Sequence, residues 1–409
     1  MDRPDRLYAQ IGTLIAATSA VQLANGFFGT VVALRVAEDV AGGLAGLVLS
    51  AYFAGFTLGA MRSTPIILRL GHIRAYAAFA GIVVAATAVM PIWPGALAWA
   101  VLRALVGFGC AGIFVTTESW LHAKAPASIR GRVFSTYMVG TFVALAAGQL
   151  LIARAPVDSF VAFNIIVALF AAALAMVSAT RAEPPRASAT APLGYGALWR
   201  AAPVAVTGCA LSGLLSAAFF ALAPAWMQGE GIERTTIALF MLAAVLGGLA
   251  FQIPVGRLSD RFDRRLVLGA LSLLFAVTVV LLSVLPHRLG VVLPAAALLG
   301  GAMSTLYPVC VAHAHDRMPA DRVVAVSANL ILISGIGSVI GPLLGSAAMA
   351  WLGLDGLLYG MAAVALAIGA VAVLTSLGRA APARLARPFA ILAPDASPLA
   401  HDPTEGAAR

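Results

Sequence analysis

Charge is scarce in this chain. Asp, Glu, Lys and Arg together fill 11% of its 409 positions, against about 25% in soluble domains, which argues against a soluble globular fold. Acids are scarcer still, 17 against 26 bases, and none falls near the middle of an apolar run. An intramembrane hydrolytic enzyme would need a paired acid and base at one depth, so that class is disfavoured. The three cysteines, Cys110, Cys209 and Cys310, stand singly in apolar runs, a spacing that fits neither a disulfide framework nor a metal site. No phosphate-cradling glycine loop, covalent-cofactor motif or catalytic triad occurs. No cofactor is expected, ATP-driven transport is disfavoured, and the chain does not read as an enzyme. The opening MDRPDRLYAQIG carries acids and lacks a small-residue cleavage site, so the first apolar run is expected to stay as a membrane span.

What the chain has in abundance is apolar surface: 61% of residues are hydrophobic and the mean hydropathy is +0.96. An integral membrane protein follows. A bilayer core takes about 20 apolar residues of helix. By that ruler the polar interruptions cut out twelve spans, near 8–34, 43–67, 75–92, 95–121, 133–153, 157–179, 202–227, 235–257, 266–285, 290–314, 323–351 and 356–377. The connector PHRLG at 286–290 must be a tight hairpin. A Pro- and Ala-rich linker at 181–201 separates an N-terminal bundle, 1–180, from a C-terminal one, 202–378, and the proline-bearing tail 379–409 is expected to be disordered.

The net charge of +9 does not point to nucleic acid, because the bases sit in short connectors and not in a groove interleaved with aromatics. With a cytoplasmic N-terminus, 21 of the 26 basic residues fall inside; Arg35, Arg154, Arg234 and Arg288 fall outside, and Arg103 lies within a span. This asymmetry is the one the positive-inside rule demands. It places both termini in the cytoplasm.

Sliding the chain by 192 positions pairs Phe27 and Phe28 with Phe219 and Phe220, Glu38 with Glu230, Gly55 with Gly247 and Arg69 with Arg261; at 193, His122 meets His315 and Pro126 meets Pro319. The matches keep nearly one register from span one to the end of span four, so the second half is expected to be a distant copy of the first. The fold class is then all-α integral membrane, with twelve helices in two pseudo-symmetric bundles of six, an architecture complete in a monomer.

GRLSDRFDRR at 256–265 gathers six charges between two very apolar runs. It is similar to the signature G-x-L-x-D-R-x-G-R-R that major facilitator superfamily transporters carry between the second and third helices of each half, with Asp263 in place of the second glycine. Arg103 in AVLRALVGFGCAG resembles that superfamily's fourth-helix motif, an arginine followed by close glycines. TTESWLHAKAPASIRGR, SDRFDRR and TLYPVCVAHA resemble the YcaD-like bacterial permeases of the same superfamily. The resemblance implies a secondary active transporter that rocks one bundle against the other around a midplane site, moving a small organic solute and, in some members, protons. The superfamily's equivalent of Arg103 is implicated in substrate or proton handling.

A cytoplasmic gate is expected around Gly256, Asp260, Arg261, Arg264 and Arg265. Asp260 would accept from the start of span five near Arg130 and Arg132, Arg261 would reach Asp316, and Arg69 would reach Glu118. Leu68 stands where Asp260 has its counterpart, so the two cytoplasmic latches must be unequal. The alternative is that these arginines only fix topology. Glu118 has a second possible role, as a proton site. Arg103, some eight residues into its span, must face the bundle interior. With it, Gln22, Asn25, Tyr52, Tyr137, Thr141, Gln149, Ser212, Ser216, Tyr307 and Asn329 are the polar candidates for the cavity, although any single hydroxyl is more often bonded to its own helix. His313 and His315 point roughly 200° apart on a helix and cannot share a metal. GxxxGP, which the resemblance associates with drug antiporters in span five, occurs here in span eleven at Gly337–Pro342. Span five itself offers only Gly140 and Gly148, so the motif does not settle direction; the reading leans slightly to efflux, with an uptake permease close behind and a non-transporting receptor or scaffold as the other alternative.

Overall fold

A computed structural model describes residues 4–39, 44–93, 95–179, 194–319 and 322–378. Within them the chain is all helix: α1 (Pro4–Asp39), α2 (Leu44–Leu70), α3 (His72–Val89), α4 (Ala96–Lys124), α5 (Ala127–Leu150), α6 (Phe160–Ser178), α7 (Tyr195–Ala201), α8 (Pro203–Gly229), α9 (Arg234–Arg261), α10 (Arg264–Val284), α11 (Leu289–His315), α12 (Val323–Leu352) and α13 (Gly356–Gly378). All but the short α7 are long and apolar enough to cross a bilayer, giving twelve spans. In hydrocarbon every backbone N–H and C=O must be satisfied within the chain, which a continuous helix does. The lipid-facing perimeter is apolar, with Leu97, Trp351 and Leu374 among its exposed side chains.

Several helices outrun the apolar stretches that announced them. α5 begins at Ala127, six residues before the expected 133, and α9 runs through the charged motif to Arg261. Hydropathy marks where lipid stops, whereas backbone hydrogen bonding continues through Ser, Arg and Asp. The linker is also not uniformly irregular: Tyr195–Ala201 forms α7, which stops just before Pro203 opens α8. The rest of the expected linker, 181–193, and the tail 379–409 lie outside the described residues.

In the first half α2 and α3 pack on α4 and α1 packs on α5 and α6; in the second half α9 packs on α11, α8 on α12 and α10 on α13. The repeat reappears as matched helix crossings. A Cβ on Gly55 would lie 1.9 Å from the Ala104 carbonyl oxygen, and one on Gly247 would lie 2.1 Å from that of Ala297. A Cβ on Gly107 would lie 2.0 Å from the Tyr52 carbonyl oxygen, and one on Gly300 would lie 1.9 Å from that of Ala244. Glycine is required at these four positions because backbone touches backbone there, as small residues allow in membranes. Across the seam between the halves, α2 packs on α12, α5 on α9 and α1 on α8.

Candidate functional site

Between the halves lies a cavity of about 210 Å³. Seven of the residues singled out from the sequence line it: Asn25, Tyr52, Arg103, Gln149, Ser212, Ser216 and Tyr307. The other four do not. Gln22 is buried behind Asn25 and accepts its Nδ2–H at 3.3 Å. Tyr137 donates to Glu118 Oε1 at 3.0 Å, and Thr141 donates to the Met138 carbonyl at 2.8 Å. Asn329 is buried in α12 outside the lining. A polar residue in a lining helix marks the helix but not the face it turns. The sequence reading missed the aromatic share of the wall, Phe28, Phe56 and Phe220, and the Ser334–Ser338 edge of α12; in runs this apolar, phenylalanine gives no signal of its own.

The amides of the lining are engaged between helices. Gln149 of α5 accepts from Thr30 at 2.8 Å and donates to the Gly26 carbonyl of α1 at 2.8 Å, and Asn25 accepts from the Cys110 thiol at 3.6 Å. Arg103 differs. It is 4% exposed, and its guanidinium carbon stands 5.1 Å from the Phe28 ring centroid and 4.7 Å from that of Tyr52. Its Nε is buried with no hydrogen-bond partner among the described residues. A charge at membrane depth costs at least about 2.5–3.5 kcal/mol, and two ring faces return about 0.5–2 kcal/mol each. Among the described residues, no other charged side chain lines the cavity.

Beyond the cavity, about two turns past its lining residue Thr30 on α1, side chains cross the seam. Arg234, the first residue of α9, places Nη2 2.8 Å from both carboxylate oxygens of Asp158, in the connector before α6, and 3.7 Å from Glu38 at the end of α1. Gln228 at the end of α8 also donates to Glu38. Arg35 donates to the Asp158 carbonyl at 3.0 Å and steadies that connector. This clasp went unread in the sequence, although Arg234 is one of the few basic residues on the sparse side.

At the opposite end, where the linker joins, charged side chains of the second half pair with one another. Asp316 Oδ2 is bonded by Arg264 at 2.8 Å, and the same guanidinium holds Asp260 at 3.2 Å. Arg265 is buried, bonds Asp263 at 2.7 Å and donates to the Thr375 carbonyl at 2.6 Å. That contact holds the Asp263 carboxyl below the ordinary carboxylate value. Gly256 is buried in α9, while Arg261 is exposed. Arg130 and Arg132 lie in the first two turns of α5, half-buried and exposed respectively. The expected Arg69–Glu118 pair is not formed: Arg69 is exposed with no ion pair among the described residues, while Glu118 is wholly buried against Tyr137.

The family model "Major Facilitator Superfamily" matches residues 14–250 and 205–394. The chain belongs to the major facilitator superfamily. Its relatives include the uncharacterized MFS-type transporter YcaD of Escherichia fergusonii, 31% identical over 299 residues that cover 73% of this chain and 77% of the relative. An uncharacterized MFS-type transporter of Enterobacter sp. (strain 638) is 32% identical over 302 residues, with the same coverage of both chains. Among solved structures, the fold matches a bacterial homologue of the human lysosomal transporter Spinster in an inward-facing, unoccupied conformation, with a TM-score of 0.74 and 15% identity over 94% of this chain and all of that one. It also matches the nucleoside transporter NupG, with a TM-score of 0.75 and 12% identity over 90% of this chain and all of that one. Membership in the major facilitator superfamily makes this a multi-pass membrane transporter of small solutes.

Proposed function

We propose that this superfamily member is a secondary active transporter that exports a small organic solute across the bacterial inner membrane by alternating access, coupled to protons and without a cofactor. The observation that carries the reading is a cavity lined by both halves together with a clasp that joins those halves, Arg234 on Asp158 and Glu38. Rocking of the halves about that cavity must break these contacts and form others at the linker end.

Sidedness comes from the arginines. The clasp lies on the side with few basic residues, which the positive-inside rule assigns to the periplasm. The linker end, with the Asp260–Arg264–Asp316 cluster, is then cytoplasmic, and the conformer is the inward-facing one. A cavity presented to the cytoplasm is the state in which an exporter takes on its solute. Glu118 is the candidate coupling carboxylate, because it is wholly buried and accepts from the Tyr137 hydroxyl. The protein acts as a monomer, each chain holding a whole cavity.

Metabolite profiling of cells with and without the protein would supply the solute, and counterflow in proteoliposomes would test turnover. Expected are intracellular accumulation of that solute in the cells lacking the protein and saturable counterflow in the vesicles. Depletion in those cells would favour uptake, and binding without counterflow would favour a receptor.

A further inference from the structure

Resting on the transporter reading, we infer that the cavity selects an organic anion: one carboxylate, sulfonate or phosphate group bound by Arg103, carried on a single aromatic or similarly flat apolar body. Among the described residues, Arg103 is the lone charged one in the cavity wall. A guanidinium keeps its charge in proteins and offers five N–H donors and no acceptor. Here it has no carboxylate among its described neighbours, its Nε has no hydrogen-bond partner, and its contacts are the faces of Phe28 and Tyr52. Those rings stabilise the positive charge and leave its hydrogen bonds unmade, which is the arrangement an incoming anion completes.

The rest of the wall fits the body of such a ligand. Phe56, Phe220, Met241 and Met303 supply apolar and aromatic surface, while Gln149 and Asn25 are already bonded between helices. A cavity of 150 Å³ admits benzene, so 210 Å³ admits one substituted ring. A cation entering would meet an uncompensated like charge at low dielectric, and a neutral amide would leave the guanidinium without its counter-ion.

The test uses the full chain in nanodiscs for binding and in proteoliposomes for exchange, with benzoate, benzenesulfonate and phenyl phosphate as anions, benzamide as the neutral analogue and benzamidinium as the cation. Expected is binding of at least one anion, on the order of tenfold to a hundredfold tighter than benzamide, and no binding of benzamidinium. Arg103→Gln should abolish that preference, and Arg103→Lys should keep part of it. Because Arg103→Gln removes a buried charge, its folding is checked by thermal unfolding, and the wild-type ranking of the probes stands apart from it. Failure of all three anions to bind, an affinity for benzamide or benzamidinium equal to theirs, or a preference that survives Arg103→Gln would overturn the inference. The exchange arm reports separately: anion binding without counterflow upholds the site and removes transport, whereas counterflow of only neutral or cationic probes upholds transport and removes the anion.

Discussion

Arg234 and Asp158 lie in different halves of the chain, yet one guanidinium nitrogen sits 2.8 Å from both oxygens of the carboxylate. Both side chains are roughly half exposed, at 42% and 53%, so the pair is screened by solvent and contributes about 0–1 kcal/mol. That is weak enough to break in every transport cycle. Arg234→Gln should therefore shift the balance of inward- and outward-facing forms by no more than about fivefold. Arg234→Glu, which sets a carboxylate against Asp158 and Glu38, should shift it further. Distance measurements between spin labels on α1 and α9 would read both shifts, and an unchanged distribution in both variants would remove the clasp from the gating scheme.

The matched crossings make a symmetric prediction. Gly55→Ala and Gly247→Ala each drive a Cβ into a carbonyl oxygen, at 1.9 and 2.1 Å, and should each lower stability by about 1–3 kcal/mol through overpacking. Gly12→Ala meets nothing within 4 Å and should be neutral or stabilising by up to about 1 kcal/mol, the helix-propensity difference. Thermal unfolding in detergent compares the three, and a stable Gly247→Ala beside a destabilised Gly55→Ala would break the equivalence of the halves.

Asp263 gives a pH signature. Its carboxyl is held below the ordinary value of 3.8, chiefly by the Arg265 side-chain hydrogen bond. A depressed folded-state pKa stabilises the fold above the unfolded value and loses that contribution as pH falls through the folded one. Asp263→Asn should thus be less stable than wild type at neutral pH, with the gap closing below about pH 4. A gap that stays constant down to pH 3 would contradict the Arg265 contact as its source.

Glu118→Gln keeps an acceptor for the Tyr137 hydroxyl and removes the titratable proton. Solute counterflow should persist while its dependence on a proton gradient disappears. Slowed counterflow with the gradient dependence intact would return Glu118 to a gating role.

Much of the fold was legible because membrane physics leaves few choices. Apolar runs of span length had to be helices, and the arginines had to collect on one side. The positions where Gly55 pairs with Gly247 in sequence are the positions where both helices cross on backbone contact. Helix ends were less legible, as at Ala127 and Arg261, because hydrogen bonding outlasts hydropathy. In the site, Arg103 was found because a charge in a span has only one tolerable direction, inward. Gln22 and Asn25 are three residues apart on one helix, and sequence could not tell which of them faces the cavity. The clasp joins positions 38, 158 and 234, a proximity that no local pattern encodes.

The central claim, alternating access around the Arg103 cavity with this conformer shut at the clasp, is tested most directly by which side of the membrane reaches the cavity. Ser216, in the cavity wall, can be replaced by cysteine in a background lacking the three buried thiols Cys110, Cys209 and Cys310, then treated with a membrane-impermeant maleimide in inverted vesicles and in right-side-out spheroplasts. Faster labelling from the cytoplasmic face, with the ratio falling in Arg234→Glu, is the expected result. Faster labelling from the periplasmic face, or a ratio that Arg234→Glu leaves unchanged, would contradict it.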